Sequence, residues 1–179
     1  MRISGGSLRG REVVCPPGVI RPAMSRMRES LFSILGPLDG LSFLDLFSGS
    51  GLVGLEAWSR GARPVMLVER DRGKRRDILR NLDGLEPRPV LRVEPVERFV
   101  ARNRSVFDLI YLDPPFDYRH KNDLLGRLAS SAAAGPESRI LIHAPTGEDP
   151  EAGLEGLELT DRRAYGGSTL TFLRVLPAA

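Results

Sequence analysis

The sequence predicts an α/β fold in which a mostly parallel sheet ends in an antiparallel hairpin and carries helices on both faces. Between residues 42 and 143, short apolar runs alternate with helical stretches, as parallel strands joined by right-handed crossovers do. After residue 155, two strand-like runs flank Gly166-Gly167, which is a hairpin signal. The 179 residues suffice for one well-buried domain, and we expect a single domain over residues 1–179.

The first elements precede this alternation. Residues 1–20 are rich in Gly and Pro, with a short alternating stretch from Leu8 to Val14, and they predict a basic N-terminal arm that can include a hairpin. Apolar residues at helical spacing predict a flanking helix over residues 24–36, which Gly36-Pro37 ends. We expect the core of the fold over residues 41–179.

The core has five predicted strands before the hairpin. They cover residues 42–47, 64–69, 89–93, 107–112 and 139–143. The helices between them are expected over residues 52–60, 72–82, 96–103 and 122–134, and the hairpin strands over residues 157–165 and 169–176. A parallel sheet finished by such a hairpin is the outline of a class I, Rossmann-like, S-adenosylmethionine-dependent methyltransferase.

A glycine-rich loop, Gly49 to Gly54, follows the first predicted strand, and Glu69 closes the next. Glycines let a ligand approach the backbone closely, and the acid can accept hydrogen bonds from ribose hydroxyls. This pattern fits either a dinucleotide or S-adenosylmethionine. Asp45 favours the second, because a carboxylate repels pyrophosphate but can pair with an ammonium group. The predicted cofactor-binding residues are Asp45, Phe47, Ser48, Gly49, Ser50, Gly51, Glu69, Arg70 and Asp113.

The turn Asp113-Pro114-Pro115-Phe116 follows the fourth predicted strand and predicts methyl transfer to an exocyclic base amine. Such an amine is a poor nucleophile, because its lone pair is delocalised into the ring. A carboxylate and a carbonyl that accept its two N–H bonds favour the geometry of the transition state. Asp113 supplies the carboxylate, Pro114 a carbonyl aimed by rigid prolines, and Phe116 a face for an extruded base. Asp-Pro-Pro alone is also a common strand-ending turn.

Basic charge is concentrated at the N-terminus. Residues 1–30 hold six arginines against two glutamates, a net charge of +4 in a chain whose total is +3. The planar guanidinium group of arginine can make bidentate hydrogen bonds to phosphate. Arg9, Arg11 and Arg21 are therefore predicted to bind RNA.

Composition also excludes several classes of protein. A single cysteine and two distant histidines argue against a disulfide scaffold and against a metal cofactor. The N-terminus lacks the apolar core of a signal peptide, and no stretch has the length of a membrane span. We therefore expect a cytoplasmic protein that has no membrane partner.

Several motifs occur in the order typical of one family. They are Arg9-Gly10-Arg11, Arg21-Pro22, Arg28-Glu29-Ser30-Leu31-Phe32, Asp45-Leu46-Phe47-Ser48-Gly49-Ser50-Gly51, Gly54-Leu55-Glu56-Ala57, Ser59-Arg60-Gly61-Ala62, Val68-Glu69 and Leu112-Asp113-Pro114-Pro115-Phe116. Over nearly its whole length the chain resembles the RsmD family, bacterial enzymes that methylate N2 of a guanine in 16S ribosomal RNA. The resemblance implies S-adenosylmethionine as methyl donor. It also implies that the RNA partner lies within a partly or fully assembled small ribosomal subunit.

Two positions depart from the family pattern. Ala23-Met24-Ser25 replaces the Thr-Thr-Asp that usually follows Arg-Pro, in a region expected to border the cofactor. Pro95-Val96 replaces an Asp or Asn followed by Ala, the pair that holds adenine in the family. Val96 keeps a backbone N–H, so the resemblance implies that Val96 contacts adenine.

Other functions remain open at this point. An adenine-N6 DNA or RNA methyltransferase can use a similar four-residue turn, although only about sixty residues follow Phe116 and leave little room for a DNA-recognition region. The glycine loop also fits an NAD-dependent dehydrogenase or a non-catalytic nucleotide-binding module. Neither of these needs Asp113 and Phe116 after the fourth strand.

Overall fold

The computed structural model describes residues 1–15 and 22–177, which are built around a seven-stranded sheet. In chain order the elements are α1 Pro22–Leu35, β1 Phe43–Leu46, α2 Leu52–Ser59, β2 Val65–Glu69, a 3-10 turn Arg72–Lys74, α3 Arg75–Asn81, β3 Val90–Val93, α4 Val96–Arg102, β4 Phe107–Leu112, α5 Lys121–Ala129, β5 Ala134–Pro145, β6 Leu157–Tyr165 and β7 Ser168–Val175. The predicted fold class is confirmed.

The strand order of the sheet is β3-β2-β1-β4-β5-β7-β6. The first five strands in this order run parallel, and β7 pairs antiparallel with both β5 and β6. Strands β2 and β3 lie on one side of β1, and β4 lies on the other side. The strand order therefore reverses between β1 and β4, and this is where an open α/β sheet binds ligands.

Each face of the sheet packs against its own helices. Side chains alternate along β1, so that Phe43 joins one apolar cluster and Leu44 joins the other. Helices α1, α2 and α3 cover the first cluster, and α4 and α5 cover the second. Because β1 and most of β4 are buried on both faces, each is apolar in the sequence apart from one aspartate, Asp45 in β1 and Asp108 in β4.

The N-terminal residues are attached to this core. Residues 1–15 include an antiparallel bridge between Arg2 and Glu12, and they pack on α2. The carboxylate of Glu56 is fully buried there and accepts backbone N–H bonds from Ser4 and Gly5, both at 2.9 Å. The predicted arm is therefore a docked hairpin over the part that the structure describes, because a buried acid and its partners hold it.

The boundary between α5 and β5 differs from the prediction. The helix expected to reach residue 134 ends at Ala129, and β5 begins at Ala134, five residues before the predicted start. Ser130 Oγ and Ser131 Oγ donate to the Gly126 and Leu128 carbonyls at 2.6 and 2.8 Å, which ends the helix. Alanine favours a helix by propensity, but here Ala134 pairs with Phe107 of β4.

We predict that Gly54→Ala destabilises the protein by about 1–3 kcal/mol, the usual cost of overpacking a core. A Cβ at Gly54 would lie 2.1 Å from Leu67 Cδ2 and 3.2 Å from Asp45 Oδ2. Urea denaturation measures the effect. The control is Gly126→Ala in α5, where the new Cβ lies 3.3 Å from the flexible end of Leu154. An equal loss in both variants would contradict a close approach of α2 to β1 and β2.

Candidate active site

A cleft of about 500 Å³ opens at the carboxyl ends of the parallel strands. Its lining residues are Phe47, Glu69, Arg70, Asp71, Lys74, Asp113, Pro114, Pro115, Phe116, His143, Tyr165, Gly167 and Ser168. This volume is typical of small-molecule sites. The cleft brings together the predicted catalytic turn and the predicted ribose-binding acid, which lie far apart in the sequence.

The glycine loop after β1 has a left-handed backbone at three positions. Phe47, Gly49 and Gly51 have φ angles of 64°, 59° and 79°. Such angles cost little for glycine and more for a side chain such as that of Phe47. A hydrogen bond of 2.7 Å from Gly51 N to Ser48 O closes the turn. The loop thereby turns its backbone towards Glu69.

Glu69 lies at the end of β2, is largely buried and lines the cleft. Its carboxylate accepts hydrogen bonds from Gly49 N at 2.8 Å and Asp71 N at 2.9 Å, and Lys74 Nζ lies 3.5 Å away. A carboxylate has about four acceptor positions, so Glu69 can accept a further bond from a hydroxyl group. The arrangement also ties the loop after β1 to the loop after β2.

Asp45 lies beneath the glycine loop and is buried. Its Oδ2 accepts the Gly54 N–H at 2.9 Å. Burial raises the pKa of the Asp45 carboxyl to about 8, and the negative charges of Asp113 and Glu69 act in the same direction. In the free protein this carboxyl is therefore mostly protonated at neutral pH, and pairing with an ammonium group requires it to lose that proton.

Asp113 follows β4 and contacts His143, which lies near the end of β5. Asp113 Oδ1 lies 2.8 Å from His143 Nδ1, and the His143 ring is almost completely buried. The other ring nitrogen, Nε2, is buried without a hydrogen-bond partner among the described residues. Because a buried N–H without an acceptor is costly, we assign the proton to Nδ1. His143 then donates a hydrogen bond to the Asp113 carboxylate.

Aromatic rings and a buried lysine surround the catalytic turn. Phe116 is 36% exposed, and its ring lies edge-on to His143 with 5.5 Å between centroids. Lys121 Nζ donates to the carbonyls of Phe116 and Tyr118, both at 2.9 Å, and pairs with Glu148 at 3.0 Å. These contacts fix the backbone after the turn.

Within residues 1–15 and 22–177, no group of three or more His, Cys, Asp or Glu side chains is arranged to hold a metal ion. No helix in the same part of the chain combines the length and the apolar character needed to cross a bilayer.

Comparison with known proteins places the chain in a family. A model of the family described as conserved hypothetical protein 95 matches residues 1–174. The ribosomal RNA small subunit methyltransferase D of Escherichia coli (strain K12) is 38% identical over 146 residues, which cover 79% of this chain and 73% of that protein. The chain belongs to the RsmD family. The family predicted from the order of the motifs is thus confirmed.

Further similarities extend over the full fold. The YlbH protein of Bacillus subtilis (strain 168) is 36% identical over 174 residues, which cover 93% of this chain and 94% of that protein. The solved structure of the yhhF protein of Escherichia coli matches with a TM-score of 0.87 at 26% identity and covers 99% of each chain. The structural similarity therefore extends over nearly the whole chain.

Some predicted cofactor residues lie beside the cleft, and others line it. Phe47, Glu69, Arg70 and Asp113 line it, as do Pro114, Pro115 and Phe116 of the turn. Ser48, Gly49, Ser50 and Gly51 form the adjoining loop, and Val96 is the buried first residue of α4. The first N–H groups of a helix have no partner within it, so the Val96 N–H suits a ligand acceptor. These ligand contacts stay predictions.

The predicted RNA-binding arginines have different surroundings. Arg9 is exposed and makes no ion pair with any described residue. Arg11 donates to the carbonyls of Asn81 at 3.0 Å and Asp83 at 2.9 Å, so it helps to hold the hairpin against the end of α3. Arg21 lies outside the described residues. Their role in RNA binding remains a prediction.

Sequence reasoning missed His143, together with Lys74, Tyr165 and Ser168 of the cleft. A signal for His143 was present, because the apolar run of β5 ends at this residue as that of β4 ends at Asp113. Leu112 pairs with Ile142 in the parallel register. The next residue along each strand therefore reaches the same edge of the sheet.

We predict that stability responds to pH through Asp45. The folded-state pKa of Asp45, about 8, exceeds the ordinary value of 3.8. The protonated carboxyl therefore contributes its full stabilisation of the folded state below about pH 4, and this stabilisation is lost as the pH rises to 8. Asp45→Asn keeps an acceptor for Gly54 and has no proton to lose. The unfolding free energy of Asp45→Asn minus that of the parent protein should therefore increase with pH, by up to about 1.4 kcal/mol per pH unit.

Urea denaturation between pH 5 and 8 measures this difference. The control is Asp117→Asn, which changes an exposed carboxyl and should show no such trend. A difference between Asp45→Asn and the parent protein that stays constant across this range would rule out the raised pKa.

Proposed function

We propose that this protein transfers a methyl group from S-adenosylmethionine to the N2 amine of a guanine in 16S ribosomal RNA. One observation carries the proposal: Glu69 and the turn from Asp113 to Phe116 line the same cleft, beside the glycine loop. The Escherichia coli relative is named a ribosomal RNA small subunit methyltransferase, and this name supports the choice of substrate. The substrate we favour is a partly or fully assembled small subunit.

The side chains of the cleft fit the proposed cofactor. S-adenosylmethionine supplies an activated methyl group on a sulfonium centre. Glu69 has acceptor capacity left for ribose hydroxyls, and Val96 offers an N–H for a ring nitrogen of adenine. The carboxylates of Asp113 and Glu69, joined by Asp45 once it loses its proton, favour a ligand with ammonium and sulfonium groups over one with pyrophosphate. The same carboxylates argue against a dehydrogenase.

Asp113 and Pro114 would orient the reacting amine. His143 donates to Oδ1 of the Asp113 carboxylate, and Oδ2 would accept an N–H of the substrate. The buried Pro114 offers a carbonyl and has no N–H to compete. With both amine hydrogens bound, the nitrogen lone pair points towards the methyl carbon. The N–C bond would form as the C–S bond of S-adenosylmethionine breaks, and the amine would then lose one proton to water.

Phe116 would hold the base during transfer. Its ring is partly exposed and its edge contact with His143 fixes one side of the turn. A base extruded from RNA loses its stacking neighbours, and an aromatic face replaces part of that interaction. Positioning of nitrogen, carbon and sulfur in line accounts for most of the rate gain expected in such a transfer.

The first experiment incubates the protein with labelled S-adenosylmethionine and small-subunit particles from a strain that lacks the activity. Nucleoside analysis should yield N2-methylguanosine. Asp113→Ala should lower turnover by about 100-fold or more and leave cofactor affinity nearly unchanged, because its hydrogen bonds strengthen at the reacting amine. N6-methyladenosine as product would favour an adenine enzyme, and a near-normal single-turnover rate would remove Asp113 from the mechanism.

A second prediction concerns the bond between His143 and Asp113. His143→Leu should lower kcat by about 10- to 100-fold, the range expected for a hydrogen bond to a charged group, with little change in cofactor affinity. His143→Asn keeps an N–H near the position of Nδ1 and should recover much of this loss. If the Leu and Asn variants are equally slow, the bond does not orient Asp113.

A further inference from the structure

The largest concentration of basic side chains lies after β2. Residues 70–80 contain six basic and two acidic side chains, a net charge of +4 in a chain whose total is +3. This segment comprises the 3-10 turn and α3. Its charge equals that of the first thirty residues in about a third of the length.

The arginines of this segment are exposed and unpaired. Arg72, Arg75, Arg76 and Arg80 are all exposed. None of them forms an ion pair or a side-chain hydrogen bond with another described residue. Ile78 and Asn81 of the same helix are buried, so the helix turns an apolar side to the core and the charged side outward. We call the four arginines the α3 basic surface.

Like charges on one helix face repel each other. Arg76 and Arg80 are four residues apart and therefore neighbours on α3, where like-charge pairs destabilise a helix. No carboxylate of the described residues forms an ion pair with either of them. A bound polyanion would remove this repulsion.

The α3 basic surface adjoins the cleft. Arg70 and Lys74 belong to the same segment, and both line the cleft that contains Asp113 and Phe116. A nucleic-acid strand whose base enters this cleft must pass close to its edge. Phosphates on that strand would then meet the arginines of α3.

Two other candidate surfaces are weaker. In the N-terminal hairpin, Arg2 pairs with Glu12, and Arg11 binds backbone carbonyls. Beyond the predicted catalytic turn, a second cleft is lined by three acids, Asp117, Glu148 and Asp149. They outnumber its two basic residues, Arg119 and Lys121, and Lys121 is buried and paired.

We propose that the α3 basic surface binds the phosphate backbone of the RNA that flanks the target base. The proposal rests on the proposed function for the identity of the polyanion. Guanidinium forks suit bidentate contact with phosphate, and such contacts position the substrate without reading its sequence.

The test measures binding of small-subunit particles at a series of salt concentrations, without methyl donor. The variant is Arg72→Gln, Arg75→Gln and Arg76→Gln combined; these three side chains do not line the cleft, and glutamine retains helix propensity. The slope of log affinity against log salt should become shallower by about 2–3, because each phosphate contact to RNA contributes about 0.7–0.9. Affinity for S-adenosylhomocysteine should be unchanged.

The matched control is Arg127→Gln, Arg163→Gln and Arg174→Gln combined. It removes the same formal charge, but these arginines pair with Asp123, Asp161 and Glu158. Its slope should stay close to that of the parent protein. Replacement of Arg72, Arg75 and Arg76 together by lysine should also preserve the slope, since lysine keeps the charge.

Equal slopes for the α3 variant and the parent protein, or equal losses in the variant and its control, would overturn the proposal. These results leave the proposed function standing if the parent protein methylates the particles. A parent protein that binds the cofactor but neither binds nor methylates the particles would instead contradict the proposed function.

Discussion

Parallel pairing of β1 with β4 is the constraint on which the site depends. Leu46 pairs with Leu112, and Asp113 N donates to Leu46 O at 3.3 Å. The glycine loop and the catalytic turn therefore leave the sheet at the same edge, at the point where strand order reverses. A shift of one residue would turn every side chain of β4 to the other face, so burial of both faces fixes the register. The adjacent pairing of β4 with β5 adds His143 to the same edge.

Three acids share this edge, and each is stabilised in a different way. Asp45 is buried and retains a proton, Glu69 accepts two backbone N–H bonds, and Asp113 pairs with His143. Full ionisation of all three would concentrate negative charge in a small volume. The negative charge contributed by these three acids therefore depends on the protonation of Asp45. A cationic ligand would lower the pKa of Asp45, which links ligand binding to proton release.

Local patterns in the sequence predicted the strands and most helix positions, because buried parallel strands form short apolar runs. Features that depend on tertiary partners were harder to predict. The start of β5 was missed because pairing of Ala134 with Phe107 overrides the helix propensity of alanine. The N-terminal hairpin was predicted as an arm because its glycines and prolines do not reveal Glu56, fifty-two residues after Ser4. His143 was missed because its role depends on the register between two strands.

Net charge of a segment is a poor guide to binding until the partners of its charges are known. The N-terminal arginines looked suited to phosphate, yet folding uses several of them: Arg28 pairs with the buried Glu56, and Arg11 binds carbonyls beside α3. At the β6–β7 edge of the sheet, Arg163 and Arg174 are matched by acids. The segment of residues 70–80 follows β2 at the other end of the sheet, and its Arg72, Arg75, Arg76 and Arg80 have no such partner among the described residues. Under the proposed binding of RNA, this asymmetry would attract the phosphate backbone to the β2–β3 end of the sheet, on the side of the cleft where Glu69 lies.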